Sequence, residues 1–237
     1  MEAHKYTLRF TDCRYSRYLS VSGLFDILED ITMQSAERQG YGYTAMDAFC
    51  LSWIVSDWNS RLYFRPAMGE AVSVFAHVQK IGAGVLKWQY RMEAADGRTV
   101  AVASATWGAA NLKEGKAMRI PEAIKEKITA DDTIYLAYAH PGGKVPTQAE
   151  EKAPFVFFTG EKDFNGHINN VSSIIRAIDV WGKDEASVAA FSAAYATEAS
   201  EGKQAVPYVA HTDIGDTVYI TGENGVISRF YIECEVK

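Results

Sequence analysis

The chain has 237 residues and a formal net charge of −6, from 24 Lys and Arg against 30 Asp and Glu. It is 48% hydrophobic and 23% charged, values of an ordinary globular protein that exclude wholesale disorder and fibrous architectures. A protein built to bind nucleic acid would carry a basic excess, which this chain lacks. No apolar stretch reaches the roughly 18 residues of a membrane span. We therefore expect a cytoplasmic protein with neither nucleic acid nor membrane as a partner.

The positions of the cysteines and histidines argue against two further classes of protein, disulfide scaffolds and metal-binding proteins. Cys13, Cys50 and Cys234 lie far apart and form no CxxC motif, which argues against a disulfide scaffold or a zinc module. The histidines also lack the spacing of metal ligands. We expect a reducing compartment and assign neither a metal nor a cofactor.

The first half of the chain predicts a strand, a helix and an antiparallel meander. An extended segment over residues 6–10 precedes apolar residues at helical spacing from Val21 onward, with Ser20 or Ser22 as the cap. Period-two alternation then predicts strands over four segments. These segments are residues 51–64, 71–81, 85–94 and 99–111.

The second half repeats this order. Residues 155–160 predict a strand and residues 161–170 a polar turn, after which apolar residues from Val171 to Trp181 predict a second helix. Further strands are predicted in residues 186–199, 205–214, 216–223 and 226–237. The segment that starts at Arg65 corresponds to the one that starts at Glu198.

The repeat predicts two similar units, each a twisted antiparallel sheet wrapped around its helix. A single such unit would leave a sheet edge uncovered. Residues 113–153 hold many charges and little periodicity, which is typical of a linker. We predict an N-terminal unit in residues 1–112, a linker in 113–153 and a C-terminal unit in 154–237.

The densest cluster of reactive side chains is DFNGHINN at residues 163–170. If the segment is extended, Asp163, Asn165 and His167 point to one side. Asn169 or Asn170 then caps the following helix, whose first amides carry partial positive charge. Asp, Asn and Gly also favour turns for backbone reasons alone, so a plain turn stays an alternative.

This cluster, followed by an apolar helix, resembles the signature of the acyl-ACP thioesterases, the family that includes the plant fatty acyl-ACP hydrolases and their bacterial relatives. The segment LSWIVSDWNSRLYFRPAMGE, the ATW at residues 105–107 and the YATEA at residues 195–199 are similar to further segments of that family. The resemblance covers nearly the whole chain. It implies an α+β double hotdog fold, two tandem units in which an antiparallel sheet wraps around a long helix.

The resemblance implies a catalytic set of Asp163, Asn165, His167 and Glu198. In the mechanism it implies, water attacks the thioester carbonyl directly, and Glu198 positions the water or accepts its proton. Asn165 and His167 donate to the carbonyl oxygen, and Asp163 orients His167 or polarises the donors. Whether Glu198 or Asp163 is the main base stays open. Many plant members carry a cysteine at the position of Ala199, so a covalent cysteine route through that position is excluded here.

In the family the first hotdog unit holds the acyl chain. The candidate pocket residues are Ile27, Ile31, Trp53, Val55 and Trp107. Core packing is the alternative role for the tryptophans.

The predicted function is hydrolysis of acyl-acyl carrier protein (acyl-ACP), which releases free fatty acid and ends chain elongation in fatty acid biosynthesis. The partner is then the acyl carrier protein with its fatty acyl phosphopantetheine. Three alternatives stay open: an acyl-CoA thioesterase, a double hotdog that binds acyl chains or carrier without hydrolysis, and a hotdog hydratase or dehydratase. Sheet edges also allow a homodimer, although a double unit can equally stay monomeric.

Overall fold

The computed structural model describes residues 3–14, 16–111, 113–139 and 142–234. Contacts divide the chain into two compact units, residues 1–138 and 139–237. The predicted first boundary, at residue 112, lies outside the described residues, and the three-part division stays a prediction.

The first unit is an antiparallel sheet with helices. Its strands are β1 (His4–Thr7), β2 (Ser52–Leu62), β3 (Ala71–Ile81), β4 (Val85–Ala94), β5 (Thr99–Asn111) and β6 (Lys116–Ala117). Its helices are α1 (Val21–Arg38), α2 (Tyr43–Asp47) and α3 (Glu122–Lys125). The strand order is β1-β3-β4-β5-β2, with β6 beside β5. The strands predicted in residues 71–81, 85–94 and 99–111 are confirmed with the same bounds.

Helix α1 lies against the inner face of this sheet. Ser20 caps the helix, because its hydroxyl accepts the N–H of Gly23 at 2.9 Å. Phe25 packs edge-on against Trp58 of β2, with ring centroids 5.3 Å apart. The hydroxyl of Thr32 lies 2.7 Å from that of Tyr90 on β4. The apolar stripe of the helix is therefore buried against aromatic side chains of the sheet.

The opposite face of the sheet is covered in part by residues 131–138. Gln89, which is fully buried, donates to the carbonyl of Leu136 at 2.9 Å and accepts the N–H of Tyr135 at 2.8 Å. A ring nitrogen of His77 lies 2.9 Å from the carbonyl oxygen of Thr133. This part of the predicted linker is therefore packed against the first unit.

Among the described residues, the second unit also has six strands, but one α-helix where the first unit has three. Its strands are β7 (Glu150–Glu151), β8 (Phe155–Val156), β9 (Val188–Tyr195), β10 (Gln204–Thr212), β11 (Gly215–Gly222) and β12 (Gly225–Cys234). The order is β9-β12-β11-β10-β7, antiparallel throughout, with β8 beside one end of β10. Strand β8 is shorter than predicted, since a 3₁₀ turn follows at Thr159–Glu161.

The helix of this unit is α4 (Asn170–Trp181), as the apolar spacing predicts. Asn169 caps it by accepting the N–H of Val171 at 2.6 Å. Ile174 is fully buried beside the sheet. The helix ends at Gly182, whose φ of 70° is the left-handed conformation that glycine adopts without strain.

Candidate active site

A tight turn carries three of the predicted catalytic residues. The N–H of Asp163 donates to the carbonyl of His167 at 2.8 Å, and the N–H of Gly166 donates to the carbonyl of Asp163 at 3.0 Å. Gly166 has a φ of 83°, which favours glycine. The segment is therefore a closed turn and not the extended strand that the sequence argument considered.

The carboxylate of Asp163 holds this turn together. One oxygen accepts the backbone N–H groups of Asn165 and His167, at 2.9 and 3.1 Å. The other oxygen accepts the side-chain amide of Asn165 at 3.2 Å. Asp163 thus fixes the backbone under His167 and the orientation of the Asn165 amide.

Glu198 reaches this turn from the loop that follows β9. Its Oε1 lies 3.5 Å from Nδ1 of His167. The His167 side chain is 28% exposed and that of Glu198 is 55% exposed, so water has access to both. The structure brings the predicted imidazole and the predicted carboxylate together, at slightly more than an ordinary hydrogen-bond distance.

A second carboxylate connects the loop after β9 to the segment that precedes the turn of Asp163. Glu201 accepts hydrogen bonds from Lys162 and Thr159. The hydrogen bond from Lys162 lowers the pKa of the Glu201 carboxyl. The N–H of Gly202 also donates to the carbonyl of Phe157 at 3.0 Å. These contacts link the segment before Asp163 to the segment after Glu198.

The start of α4 is anchored to both segments. Arg176 makes a bidentate ion pair with Glu161, with both distances at 3.0 Å. The carbonyl of Glu161 accepts the N–H of Asn169 at 2.8 Å, just before the helix. The Tyr195 hydroxyl at the end of β9 donates to the carbonyl of Asn170 at 3.2 Å. The turn, the helix start and the strand end therefore form one connected framework.

A cavity of about 150 Å³ opens beside Glu198. Residues 197–205 form one wall and the turn between β11 and β12 the other. Phe157 and Ala205, each 1% exposed, contribute buried apolar surface. The void is thus directly adjacent to the predicted catalytic carboxylate.

The five predicted acyl-pocket residues all lie in the core of the first unit. Trp53 donates its indole N–H to the carbonyl of Tyr41 at 2.8 Å, and the Trp107 ring lies 6.0 Å from that of Trp58. The exposed fractions are 0% for Ile27, 2% for Ile31, 5% for Trp53, 4% for Val55 and 5% for Trp107. Their burial agrees with either core packing or a pocket lining, and the pocket stays a prediction.

Three residues that hold the candidate site in place were not predicted from the sequence. Thr159, Lys162 and Glu201 were not singled out, although Lys162 is adjacent to Asp163 and Glu201 follows Glu198 by three positions. A charged residue close to each predicted catalytic segment was the signal available in the sequence. Their pairing depends on the fold, because the two segments are distant in the chain.

Comparison with known families identifies the chain. The family model described as the acyl-ACP thioesterase N-terminal domain matches residues 2–128, more than half of the chain. The chain belongs to the acyl-ACP thioesterase family. Members of this family hydrolyse the thioester of acyl-ACP in fatty acid biosynthesis, so the chain is a thioester hydrolase. The function predicted from the sequence is therefore confirmed.

Solved structures agree on the fold. An acyl-ACP thioesterase from Bacteroides thetaiotaomicron superposes with a TM-score of 0.85 at 18% identity, over 99% of this chain and 97% of that one. The 12:0-ACP thioesterase from Umbellularia californica superposes with a TM-score of 0.88 at 14% identity, over 100% and 97%. The predicted hotdog fold is confirmed. A search of curated proteins by sequence gave no match. Within the described residues, no helix is both long and apolar enough to span a bilayer.

Proposed function

We propose that this acyl-ACP thioesterase activates water directly between Glu198 and His167. The observation that carries the proposal is the 3.5 Å approach of Glu198 Oε1 to His167 Nδ1, at a site that solvent reaches. A carboxylate beside an imidazole supplies both a proton acceptor and a proton donor. Hydrolysis of a thioester needs both, since the water loses a proton and the departing thiolate gains one.

In this mechanism Glu198 takes the proton of the attacking water. The resulting hydroxide adds to the carbonyl carbon, the C–S bond breaks, and the sulfur leaves with a proton delivered through His167. Asn165 donates its side-chain amide to the oxygen that becomes negative during attack. The N-terminus of α4, which begins beside this turn, adds partial positive charge there.

Asp163 serves as a positioning residue. Both of its oxygens accept hydrogen bonds from the turn itself, at 2.9 to 3.2 Å. This arrangement favours Glu198 as the main base, the point that the sequence left open. Glu201 acts similarly, because its contacts with Lys162 and Thr159 hold the loop of Glu198 against the turn.

Three finer statements complete the proposal. The acyl chain enters the core of the first unit along the five predicted residues. The enzyme works in the cytoplasm, which agrees with cysteines that form no disulfide: Cys13, Cys50 and Cys234 are all free. A homodimer through sheet edges stays a prediction, which light scattering on the purified chain would measure.

The mechanism is tested by following thiol release from acyl-ACP in Glu198→Gln, His167→Ala and Asp163→Asn. We expect kcat to fall by about 10²–10⁴-fold in Glu198→Gln and His167→Ala, the range for a lost proton-transfer group. Arg65→Gln is the matched control, because Arg65 occupies the corresponding position of the first unit, and its kcat should stay within about twofold. Near-wild-type rates in all three site variants would end the proposal.

The acyl-CoA alternative is tested with the same acyl chain on both carriers. A higher kcat/KM for acyl-ACP than for acyl-CoA is the expected result, given the family of the chain. An inverted order would contradict this expectation, and equal values would show that the enzyme does not distinguish the two carriers.

A further inference from the structure

The cavity beside Glu198 has a mixed lining that distinguishes it from an acyl pocket. Phe157, Ala205 and Ile227 supply apolar surface, and the first two are almost fully buried. Exposed polar side chains, those of Gln204 and Asn224, line the opening. An alkyl chain gains nothing from such polar groups, whereas a ligand with amide bonds can exchange hydrogen bonds with them.

Lys203 is the only Lys or Arg among the described residues that line the cavity. Lys203 lines the cavity, and its side chain is 63% exposed. Its partner is Glu223, at 3.5 Å and 72% exposed. An ion pair this exposed contributes little stability, so an incoming anion can replace the carboxylate at low cost. The Lys203 ammonium group is therefore available to form an ion pair with a phosphate.

We propose that this cavity binds the phosphopantetheine arm of the substrate, with the ammonium of Lys203 against its phosphate. The arm is a thiol-terminated chain with two amide groups and a phosphate, and the lining offers apolar surface, polar side chains and a cation that can contact these parts. The inference rests on the proposed function, because Glu198 borders the cavity and marks the end where the thioester sits. The leaving thiol then departs through the void that already holds its arm.

The decisive experiment compares two small substrates, acyl-phosphopantetheine and acyl-pantetheine, which differ only in the phosphate. We expect the wild-type enzyme to have a KM about threefold to tenfold lower for the phosphorylated substrate, the range of a charge-assisted contact at an exposed site. Lys203→Met should abolish this preference. A preference that survives in Lys203→Met would overturn the assignment.

Two further variants control the result. Lys152→Met removes another partly exposed lysine of the second unit, which pairs with Glu150 at 2.7 Å, and should leave the preference intact. Glu223→Gln removes the competing carboxylate and should lower the KM for the phosphorylated substrate. If Lys152→Met abolished the preference as fully as Lys203→Met, the preference would come from non-specific electrostatic attraction between the protein and the phosphate. The assignment of the arm to this cavity would then be wrong.

The rival occupant of the cavity is the acyl chain. Ser200→Phe fills the opening from an exposed position of the wall. If the arm lies there, this variant raises the KM for acyl-pantetheine by the same factor at every acyl length. A changed order of preference among acyl lengths would contradict the proposal.

Binding separates this inference from the catalytic mechanism. Calorimetry with a non-hydrolysable acyl amide analogue of phosphopantetheine measures the contact of Lys203 without turnover. If Lys203→Met binds the analogue more weakly and Glu198→Gln keeps full activity, the catalytic mechanism is refuted and the proposed binding site of the arm is supported. Equal binding by the wild-type enzyme and Lys203→Met would refute the arm site alone.

Discussion

The segments that precede the two long helices, α1 and α4, are held in place by different kinds of contact. In the first unit the N–H of Leu19 donates to the carbonyl of Pro66 and that of Met68 to Arg17, both at 2.9 Å. Arg65 also donates to the carbonyl of Leu19 at 2.7 Å. Backbone hydrogen bonds therefore hold the segment before α1 directly.

The corresponding segment of the second unit is joined by side chains. Between residues 164–168 and 198–202, all of which the structure describes, no backbone hydrogen bond forms. His167 and Glu198 face each other instead, and a cavity lies next to Glu198. The proposed catalytic pair thus lies between two segments that side chains hold close together and that no backbone hydrogen bond between these two ranges joins.

Substitutions of Asp12 and Asp163 test this comparison most directly, since each aspartate accepts hydrogen bonds that hold together the segment before its helix. Asp12 is 1% exposed and accepts from the Tyr6 hydroxyl at 2.9 Å and from Arg9. We expect Asp12→Asn to lower the free energy of unfolding by about 2–3 kcal/mol, because the buried bonds to charged groups are lost. Denaturant titration would measure this change.

Asp163→Asn is the matched variant in the second unit. Its turn is partly exposed, so the stability loss should stay below about 1 kcal/mol while kcat falls at least about tenfold. A large loss of stability in Asp163→Asn with an unchanged kcat would contradict the positioning role proposed for Asp163.

Asp216 tests the opposite end of the second unit, where the sheet meets the end of α4. Its carboxylate, 9% exposed, accepts from Trp181 and Lys183 at 2.7 Å each, and lies 2.7 Å from His211 Nδ1. Burial opposes ionisation, yet the hydrogen bonds led by Lys183 leave the pKa of Asp216 below its usual value.

A lowered folded-state pKa means that Asp216 stabilises the protein above the pKa of about 3.9 in the unfolded chain, and that this stability is lost as the pH falls toward the lower folded-state value. We expect Asp216→Asn to cost about 1–3 kcal/mol at neutral pH and to approach the wild type in acid. Urea titrations at pH 7 and pH 3 would measure both values. A difference that grows in acid would contradict the assignment.

The two helix caps should give the smallest effects. Ser20 is 2% exposed and accepts from Gly23, whereas Asn169 is partly exposed and accepts from Val171. Replacement by Ala should cost about 1–2 kcal/mol at Ser20 and about 0.5–1 kcal/mol at Asn169. Thermal unfolding of both variants would rank them. The reverse order would show that the segment before α4 is the more tightly built.

Much of the fold was predictable because local periodicity reports burial directly. The strands β3, β4 and β5 have the predicted bounds, since alternation marks which side chains face the core. The FVFFTG segment is less regular, because its strand gives way to a 3₁₀ turn within a few residues. Its aromatic residues suggested a longer strand than the chain forms.

The candidate site was predictable in its residue types and less so in its geometry. The DFNGHINN pattern identified the turn. However, Gly166 closes the turn with a positive φ, which the every-second-residue spacing of Asp163, Asn165 and His167 does not reveal. The positioning role proposed for Asp163 rests on its three hydrogen bonds within the turn, which the sequence does not show.

The amino-acid sequence by itself determined the two-unit organisation, the two long helices and the family of the enzyme, and it narrowed each helix cap to two residues, because periodicity, turn residues and a dense motif are all local properties. Only the tertiary structure decided that Glu198 meets His167, that Glu201 pairs with Lys162, and that a cavity separates two loops of the second unit. Such contacts join segments that are distant in the chain. Their distances depend on how β9, α4 and the β11–β12 turn pack together, which no local pattern encodes.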